Sequence, residues 1–449
     1  DYSNRTKGIS ETERRNMTFV FVTPYHWDAK TKWVTDKKKS GDWKDVIAYD
    51  SDNLAQWIYQ LPIVTEWFAQ KINLFTGTGI ILPSMRWNEM AIGPKGIVLT
   101  PGFYTVGRER IIDVVQEMVE GKPGLQAFRA SSREEAMAFI LAAGQLLPEP
   151  AKSKFMGKRV VVDTRESLRQ IAGRTNAINI VTHLEDNSSV YSAAINNVVL
   201  VALGPDDEFR QDVVDLPVSE RHALVEELVS YGISEPEANR IVLINSCNLT
   251  LIRKELGFPP VGAKWIGRVD LDGLLPALLL GRWNENYDSD TLLLSTIAGV
   301  SGNQYLSILN QWLQLSVSSL NKTGPVWRLT SPLMLWTELS PQLNPAFFDT
   351  LHEIFVKVFI EVKVKYSNQL KEGLLQTLII VALYGNRLKL PIGDTQEWVD
   401  SLMQNLLHDA LPEKWVEFSD YLPKIAEASP DVFLLELQLA IEKQTPVIT

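Results

Sequence analysis

Cysteine and histidine are scarce in this 449-residue chain, which has one cysteine and five histidines. The single Cys247 excludes an internal disulfide, and the scattered histidines form no cluster with the spacing of zinc ligands. His26 follows Pro24 and Tyr25 in a loop, where a lone histidine near aromatic residues is usually structural. We therefore expect a reducing, cytoplasmic environment and no metal site within the chain.

Positive charge is in deficit, because 54 acidic residues outnumber 44 basic ones and the formal net charge is -10. Nonspecific affinity for nucleic acid comes largely from Lys and Arg that neutralise phosphates. The balance therefore argues against a general polyanion-binding surface and leaves only a local basic patch open.

Long apolar runs are also absent. The most apolar stretches, LLPALLL and LLQTLIIVALY, are shorter than the ~20 residues that cross a bilayer. Both indicate buried helices, and we expect no membrane partner. The chain starts with DYSNRTKG, which has no initiator Met and no signal-peptide pattern, so we expect a segment of a larger protein.

The composition that remains is that of a globular protein, with 45% hydrophobic and 22% charged residues. The length predicts about three domains. Residues 1–75 alternate as strand TFVFVTP, helix AKTKWVTDKKKSG, strand KDVIAYD and helix SDNLAQWIYQLPIVTEWFAQKI, a β-α-β-α unit whose strands we expect to be parallel. Residues 76–103 are rich in Gly, Pro and Thr and indicate a linker or irregular segment.

A second α/β set occupies residues 104–257. Four β-rich runs alternate with helical patterns, namely LQAFR, RVVVD, AINIVTH and VVLVAL. They predict a parallel sheet covered on both faces. The rest is helical apart from a predicted hairpin at 323–332, and residues 341–449 show the i, i+3, i+4, i+7 pattern of a packed helical array. The fold class is thus α/β followed by all-α.

The loop after LQAFR stands where a phosphate-binding loop would lie. Such a loop needs GxxxxGK[ST], because backbone N–H groups must approach the phosphates and a lysine must neutralise them. Here the loop is Ala130, Ser131, Ser132 and Arg133, without glycine or lysine. Either serine can cap the next helix, and the glutamates that follow would repel a triphosphate. We expect a capped helix without a ligand.

The acid that would polarise a magnesium-bound water should close a later strand. RVVVD ends in Asp163, whereas AINIVTH is followed by acids only after a turn. Asp163 serves equally well as a cap for the helix TRESLRQIAG. The sequence leaves these two roles open.

YTVGRE at 104–109 resembles the (F/Y)xGRE pattern that precedes the nucleotide-binding fold of STAND signalling ATPases and related AAA+ proteins. DLPVSERHALVEELVSYGISEPEANRIVLINSCNLT resembles their helical lid, although CNLT replaces its glycine and proline. The resemblance implies a P-loop-NTPase-like fold over residues 104–257. It also implies nucleotide contacts from Arg108, Ser131, Ser132 and Asp163.

Residues 258–340 place helices before the hairpin and resemble the winged helix that follows the lid in STAND proteins. A DNA-reading helix presents Arg, Lys or Asn to the groove. The candidate helix QYLSILNQWLQL has no basic residue. We expect it to pack against protein, with DNA reading as the alternative.

MTFVFVTPYHWDAKTKWVTDKKKSGDWKDVIAYDSDNLAQWI resembles the second half of a Mrr-type restriction-endonuclease domain. The resemblance implies that the acids and lysine of the PD-(D/E)xK site, with Mg²⁺, would lie upstream of Asp1. Lys32, Lys37, Lys38 and Lys39, near Trp33 and Trp43, are candidates for nucleic-acid contact. The alternative is a solvated helix face.

Three hypotheses follow. The first is a sensor, scaffold or oligomerisation segment of a bacterial antiviral-defence or restriction-type protein, with protein partners or self-association and no cofactor of its own. The second is a DNA-cleaving nuclease whose acids come from upstream or from a partner. The third is a regulatory ATPase with atypical nucleotide contacts.

Overall fold

The computed structural model describes residues 2–72, 80–163, 167–169, 177–181, 187–205, 207, 209–259, 271–313, 320–361 and 364–442. The chain forms two compact units. The N-terminal unit comprises residues 1–76 with 157–159, and the main unit comprises residues 77–156 and 160–449. The fold is mixed α/β with a helical C-terminal region, as the sequence predicts.

The N-terminal unit contains two parallel strands, which confirms the predicted arrangement, with Phe19 opposite Val46. Its elements are β1 (Thr18–Val22), β2 (Asp45–Tyr49), α1 (Tyr2–Gly8), α2 (Glu11–Arg14), α3 (Lys30–Lys39), α4 (Ser51–Gln60) and α5 (Pro62–Lys71). The single helix expected after β2 is wrong: it breaks at Leu61. Pro62 has no N–H to donate and disfavours helical backbone at the residue before it.

The main unit is built on a six-stranded sheet in the order β3-β5-β6-β7-β4-β8. Its strands are β3 (Ile80–Ile81), β4 (Gly124–Arg129), β5 (Arg159–Val162), β6 (Ile178–Val181), β7 (Val198–Leu203) and β8 (Val213–Asp215). The four predicted runs therefore all contain strands. The pairs β6-β7, β7-β4 and β4-β8 are parallel, and β3 is antiparallel to β5.

Both faces of this sheet are buried, as predicted. Alternate residues of the strands enter two separate apolar cores, so that Phe128 and Leu200 lie in one core and Ala127 and Val201 in the other. The helices of this part are α6 (Pro83–Ala91), α7 (Pro101–Thr105), α8 (Glu109–Glu120), α9 (Arg133–Leu146), α10 (Ala151–Lys158), α11 (Asn187–Ala194), α12 (Arg221–Ser230), α13 (Glu235–Ile244) and α14 (Leu249–Glu255).

Residues 80–103 correct the prediction of a linker or irregular segment. They contain β3, α6 and a 3-10 turn at Pro94–Gly96, and α7 begins at Pro101. Pro83 and Pro101 occupy first helical turns, where a missing N–H costs nothing, so these prolines start helices instead of breaking them. Met90 and Phe103 are fully buried in the core.

Residues 271–329 fold in the order helix, strand, helix, helix, hairpin. The predicted hairpin is confirmed and forms a three-stranded antiparallel sheet in the order β10-β11-β9. The elements are a 3-10 turn at Leu271–Leu274, α15 (Leu275–Leu280), β9 (Arg282–Asn284), α16 (Asp288–Ala298), α17 (Gly302–Leu313), β10 (Leu320–Thr323) and β11 (Val326–Leu329).

The remaining elements are helical and share one apolar core with residues 271–329. They are α18 (Pro332–Leu339), a 3-10 turn at Ser340–Gln342, α19 (Pro345–Phe355), a π-helical turn at Val356–Ile360, α20 (Asn368–Leu388), α21 (Thr395–Leu407), α22 (Pro412–Glu417), a 3-10 turn at Ser419–Tyr421, α23 (Leu422–Ala428) and α24 (Pro430–Glu442). In the described ranges no single helix is long and apolar enough to span a bilayer; α16 and α17 meet that test only as a pair bent by 83°.

A candidate ligand crevice closed by ion pairs

The carboxyl edge of the main sheet has one position where chain connections diverge. β4 and β7 are neighbours in the sheet. After β4 the chain continues to β5, which lies beyond β7, whereas after β7 it continues to β8, which lies on the opposite side of β4. Open α/β sheets bind ligands at such a switch point, outside the carboxyl ends of the strands. The loop at 130–132 and the loop after β7 meet there, and we call this place the crevice.

The start of α9 is capped by the chain itself. Ser132 is buried, and its Oγ accepts the N–H of Glu135 at 3.1 Å, which confirms the predicted serine cap. The N–H of Arg133 donates to Ser331 Oγ at 3.4 Å, and Ser331 Oγ donates to a carboxylate oxygen of Glu134 at 2.8 Å. Helix N-termini bind phosphates through such N–H groups. Here two of them are directed at hydroxyl groups of the protein.

A buried ion pair joins the two loops of the crevice. Arg133 donates from Nε and Nη2 to the two oxygens of Asp207 at 2.6 and 2.5 Å. Arg328 of β11 approaches the same carboxylate at 3.5 Å, and the N–H of Gly204 donates to it at 2.8 Å. Burial alone would raise the pKa of Asp207, but the charges of Arg133 and Arg328 outweigh it and hold the pKa below its usual value.

Arg108, a predicted nucleotide contact, is 3% exposed and lies at the start of α8. Its Nη2 donates to Glu135 Oε1 at 2.5 Å, and its Nε donates to the carbonyl of Pro217 at 2.8 Å. Ser131 Oγ donates to the other oxygen of Glu135. The structure thus brings Arg108, Ser131 and Ser132 together around Glu135, where each is bound to the protein itself.

The space left beside the start of α9 is small. The cavity between α9, α14 and α18 holds about 40 Å³, enough for a few water molecules. Small-molecule pockets hold roughly 300–1,000 Å³. The cations that line this cavity are engaged by oxygens of the chain, since Arg253 donates to Tyr104 Oη at 2.6 Å and Lys254 donates to the carbonyl of Thr337.

Asp163 is not brought to the crevice. It follows β5, which lies three strand positions from β4, or roughly 14 Å at ~4.8 Å a strand. Its carboxylate accepts a hydrogen bond from buried Arg86 of α6, and Arg86 also donates to Glu89 at 2.9 Å. The alternative role as a helix cap involves residues 164–166, which lie outside the described residues, as do the acids that follow AINIVTH.

Sequence reasoning missed Asp207 and Ser331. It considered acids after the second and third strands, whereas Asp207 follows VVLVAL, the strand that pairs directly with β4. Knowledge of the strand order would have pointed to the acids of LGPDDEF. Ser331 is distant in sequence from the loop, and only its left-handed backbone (φ 50°) after the hairpin marks it as unusual.

The basic helix α3 of the N-terminal unit presents Lys32, Lys38 and Lys39 to solvent. Lys38 pairs with Asp45 at 2.7 Å, and the ammonium group of Lys37 lies 4.7 Å from the ring centre of Tyr2. Nucleic-acid contact through these lysines remains a prediction.

The tryptophans expected to be available for base stacking are instead packed. Trp33 and Trp43 lie against the small core of the N-terminal unit. The ring centre of Trp33 lies 5.6 Å from that of Tyr2, and the ring centre of Trp43 lies 5.2 Å from that of Phe19. Their ring faces therefore serve the core of the unit, because these few aromatic residues are most of what that core has to bury.

His26, Asp50 and Asp52 in the same unit place possible metal-ligand atoms within 4.8 Å of one another. The ring nitrogens of His26 lie 2.9 Å from a carboxylate oxygen of Asp28 and 3.0 Å from one of Asp52. These hydrogen bonds raise the pKa of His26, and the bond to Asp28 contributes most. Asp50 pairs with Lys30 at 2.7 Å, which lowers its pKa. The arrangement favours an imidazolium between carboxylates over a metal ion.

Comparison with known proteins adds no identification: no protein-family model matches the chain, and no curated protein matches its sequence significantly.

Proposed function

We propose that the main unit is a nucleotide-free scaffold of a bacterial defence or restriction-type protein, built on an NTPase-like fold. The observation that carries the proposal is the bidentate pair between Arg133 and Asp207, which occupies the crevice where the fold would hold phosphates. A triphosphate would have to separate this pair and approach Glu134 and Glu135. Both steps oppose binding, since a buried charge without its partner is costly.

The topology supports the NTPase-like part of the proposal. Of the five strands from β4 to β8, β4 comes first in the chain, yet it lies in the sheet between β7 and β8, the fourth and the fifth. This order agrees with the AAA+ resemblance of YTVGRE and of the lid. The helix-strand-helix-helix-hairpin order of residues 271–329 likewise supports a winged-helix-like part.

The exposed face of α17 supports a scaffold role over DNA reading for this winged-helix-like part. Asn303, Gln304, Ser307, Asn310 and Gln311 are its exposed residues, and none is charged. Asn and Gln side chains can contact bases, but this face has none of the Arg and Lys that neutralise phosphates and supply most of the affinity for DNA.

Calorimetric titration of the intact chain with Mg·ATP tests the proposal. We expect no saturable heat corresponding to a Kd below about 1 mM. Arg108→Ala serves as the site variant, and Arg240→Ala, an exposed arginine that pairs with Glu237 at 2.7 Å, is the matched control. Saturable binding that Arg108→Ala abolishes and Arg240→Ala leaves unchanged would overturn the proposal.

A second function, magnesium-dependent DNA cleavage, is favoured by the exposed sheet of the N-terminal unit. Parallel sheets are normally buried on both faces, yet Val20 and Val22 of β1 are exposed. Among the described residues β1 pairs with β2 alone, so its other edge can accept further strands, on which the Mrr resemblance would place the catalytic acids. If this function exists, supercoiled plasmid incubated with the full-length protein and Mg²⁺ should be nicked. A plasmid that stays intact, with and without added partner proteins, would count against it.

A further inference from the structure

The end of the helical region carries an open groove between the end of α21, α22 and α24. It holds about 460 Å³ and has a floor of buried apolar side chains, Leu407, Trp415 and Ala440. We call it the acidic groove, because Asp409, Glu436 and Glu442 also line it. It lies within the size range of ligand-binding sites.

The walls of the acidic groove continue into exposed apolar side chains. On α24, Leu439 lines the groove and is 43% exposed, and Leu435 is 52% exposed. Leu435 and Leu439 are four residues apart and therefore adjacent on one face of the helix. Near the groove, Leu411 is 66% exposed. Leu411, Leu435 and Leu439 thus extend the apolar floor of the groove onto the surface, and apolar patches next to a groove commonly meet a partner.

Charge around the acidic groove is strongly one-sided. Residues 405–442 contain eight carboxylates against two lysines, a net charge of -6 within a chain whose total is -10. One carboxylate of the groove already has a partner within the chain: His408 Nδ1 lies 3.2 Å from Glu436 Oε1. Asp409 has a side chain 76% exposed, so its carboxylate faces solvent.

We propose that the acidic groove binds a basic amphipathic helix of a partner protein. Apolar side chains at i, i+3, i+4 and i+7 of such a helix would pack on Leu439 and the groove floor, and its Lys or Arg side chains would meet the carboxylates. Charge selects this occupant: a nucleic acid or an anionic membrane surface would be repelled, and a second copy of this region would bring the same negative charge. The inference is independent of the proposal on nucleotide.

Fluorescence anisotropy with a labelled helical peptide of leucine and lysine, about 18 residues long, tests the proposal. A second peptide of the same length and leucine pattern, with glutamate in place of lysine, measures the charge requirement. We expect saturable one-site binding of the first peptide to the intact chain, weakening as salt rises, and no binding of the second. Equal binding of both peptides would overturn the proposal.

Point variants locate the site. Leu439→Lys should weaken binding of the lysine peptide about tenfold or more. Burial of one leucine side chain contributes binding free energy of that order. Leu292→Lys is the matched control, because Leu292 is a 68% exposed leucine on α16 and the change in charge is the same. Equal affinities of Leu439→Lys and Leu292→Lys for the lysine peptide would show that the peptide does not bind at the acidic groove.

Sedimentation of the intact chain distinguishes a partner from self-association. Should the wild type associate with itself and Leu439→Lys abolish that association, the acidic groove would be a self-contact and the proposal would be wrong. A monomeric wild type that binds the lysine peptide supports it. Unchanged circular dichroism of both variants establishes that neither effect is loss of fold.

Discussion

The crevice and the acidic groove differ in where their charges find partners. In the crevice, the carboxylates of Asp207 and Glu135 are buried and bound by Arg133 and Arg108 of the same chain. In the acidic groove, carboxylates outnumber cations and part of them faces solvent. The cavity beside the start of α9, between α9, α14 and α18, holds about 40 Å³, and the acidic groove holds about 460 Å³.

The difference teaches that a recognisable position in a fold is a poor guide to where binding takes place. The crevice has the topology of a ligand site, but its polar groups already satisfy one another. The groove has no motif in the sequence, yet it combines open volume, exposed apolar side chains and an excess of carboxylates over lysines in residues 405–442. Binding is expected where the surface offers volume, apolar contact and charge that a partner can complement.

The largest expected effect comes from removing the carboxylate at the centre of the crevice. Asp207→Ala should lower the free energy of unfolding by about 3–5 kcal/mol, because buried Arg133 and Arg328 would lose the carboxylate that they share. Asp215→Ala, which removes a 71% exposed partner of Arg129 at 3.2 Å, should cost less than about 1 kcal/mol. Urea unfolding followed by circular dichroism measures both.

The pH dependence sharpens this test. Since the pKa of Asp207 is lowered in the folded state, its stabilisation is fully present above the unfolded value of about 3.9 and is lost as the pH falls through the folded pKa. The loss of unfolding free energy caused by Asp207→Ala should therefore stay constant from about pH 7 to 5 and become smaller in more acidic solution. A deficit equal to that of Asp215→Ala at every pH would show that the crevice is not held by this pair.

A smaller effect on stability is expected at His26, whose ion pairs with Asp28 and Asp52 face solvent. Its pKa should lie above the ordinary 6.5, because hydrogen bonds that the ring donates to the carboxylates of Asp28 and Asp52 favour the imidazolium. This stabilisation is present below pH 6.5 and is lost as the pH rises through the folded pKa. An NMR titration of the ring protons measures it.

Asp28→Asn and Asp52→Asn should each lower the pKa of His26. Asp36→Asn, which removes an exposed carboxylate from α3 of the same unit, should leave it unchanged. Identical titration curves for all three variants would contradict the assignment of these hydrogen bonds.

Much of the fold was predictable because local patterns determine it. VVLVAL is buried along its whole length and is the strand β7, as its continuous apolar run predicts. The parallel pair of the N-terminal unit followed from strand, helix and strand in succession. β3 was missed because it is only two residues long and is stabilised by pairing with β5, a long-range contact.

The site was less predictable, since its geometry depends on strand order. Ser132 could be recognised as a cap because capping involves neighbours in sequence. Asp207 and Arg328 could not, because no local pattern brings β7, β11 and α9 together. The packing of Trp33 was missed for the same reason: its partners come from α1 and β1.

The most direct test of the central claim is the Mg·ATP titration of the intact wild-type chain. The account predicts no saturable binding, because the start of α9, where the proposed NTPase-like fold would hold phosphates, is occupied by the pair of Arg133 and Asp207 and by the hydroxyl groups of Ser132 and Ser331. Saturable binding with a micromolar Kd, lost in Arg108→Ala and retained in Arg240→Ala, would contradict it.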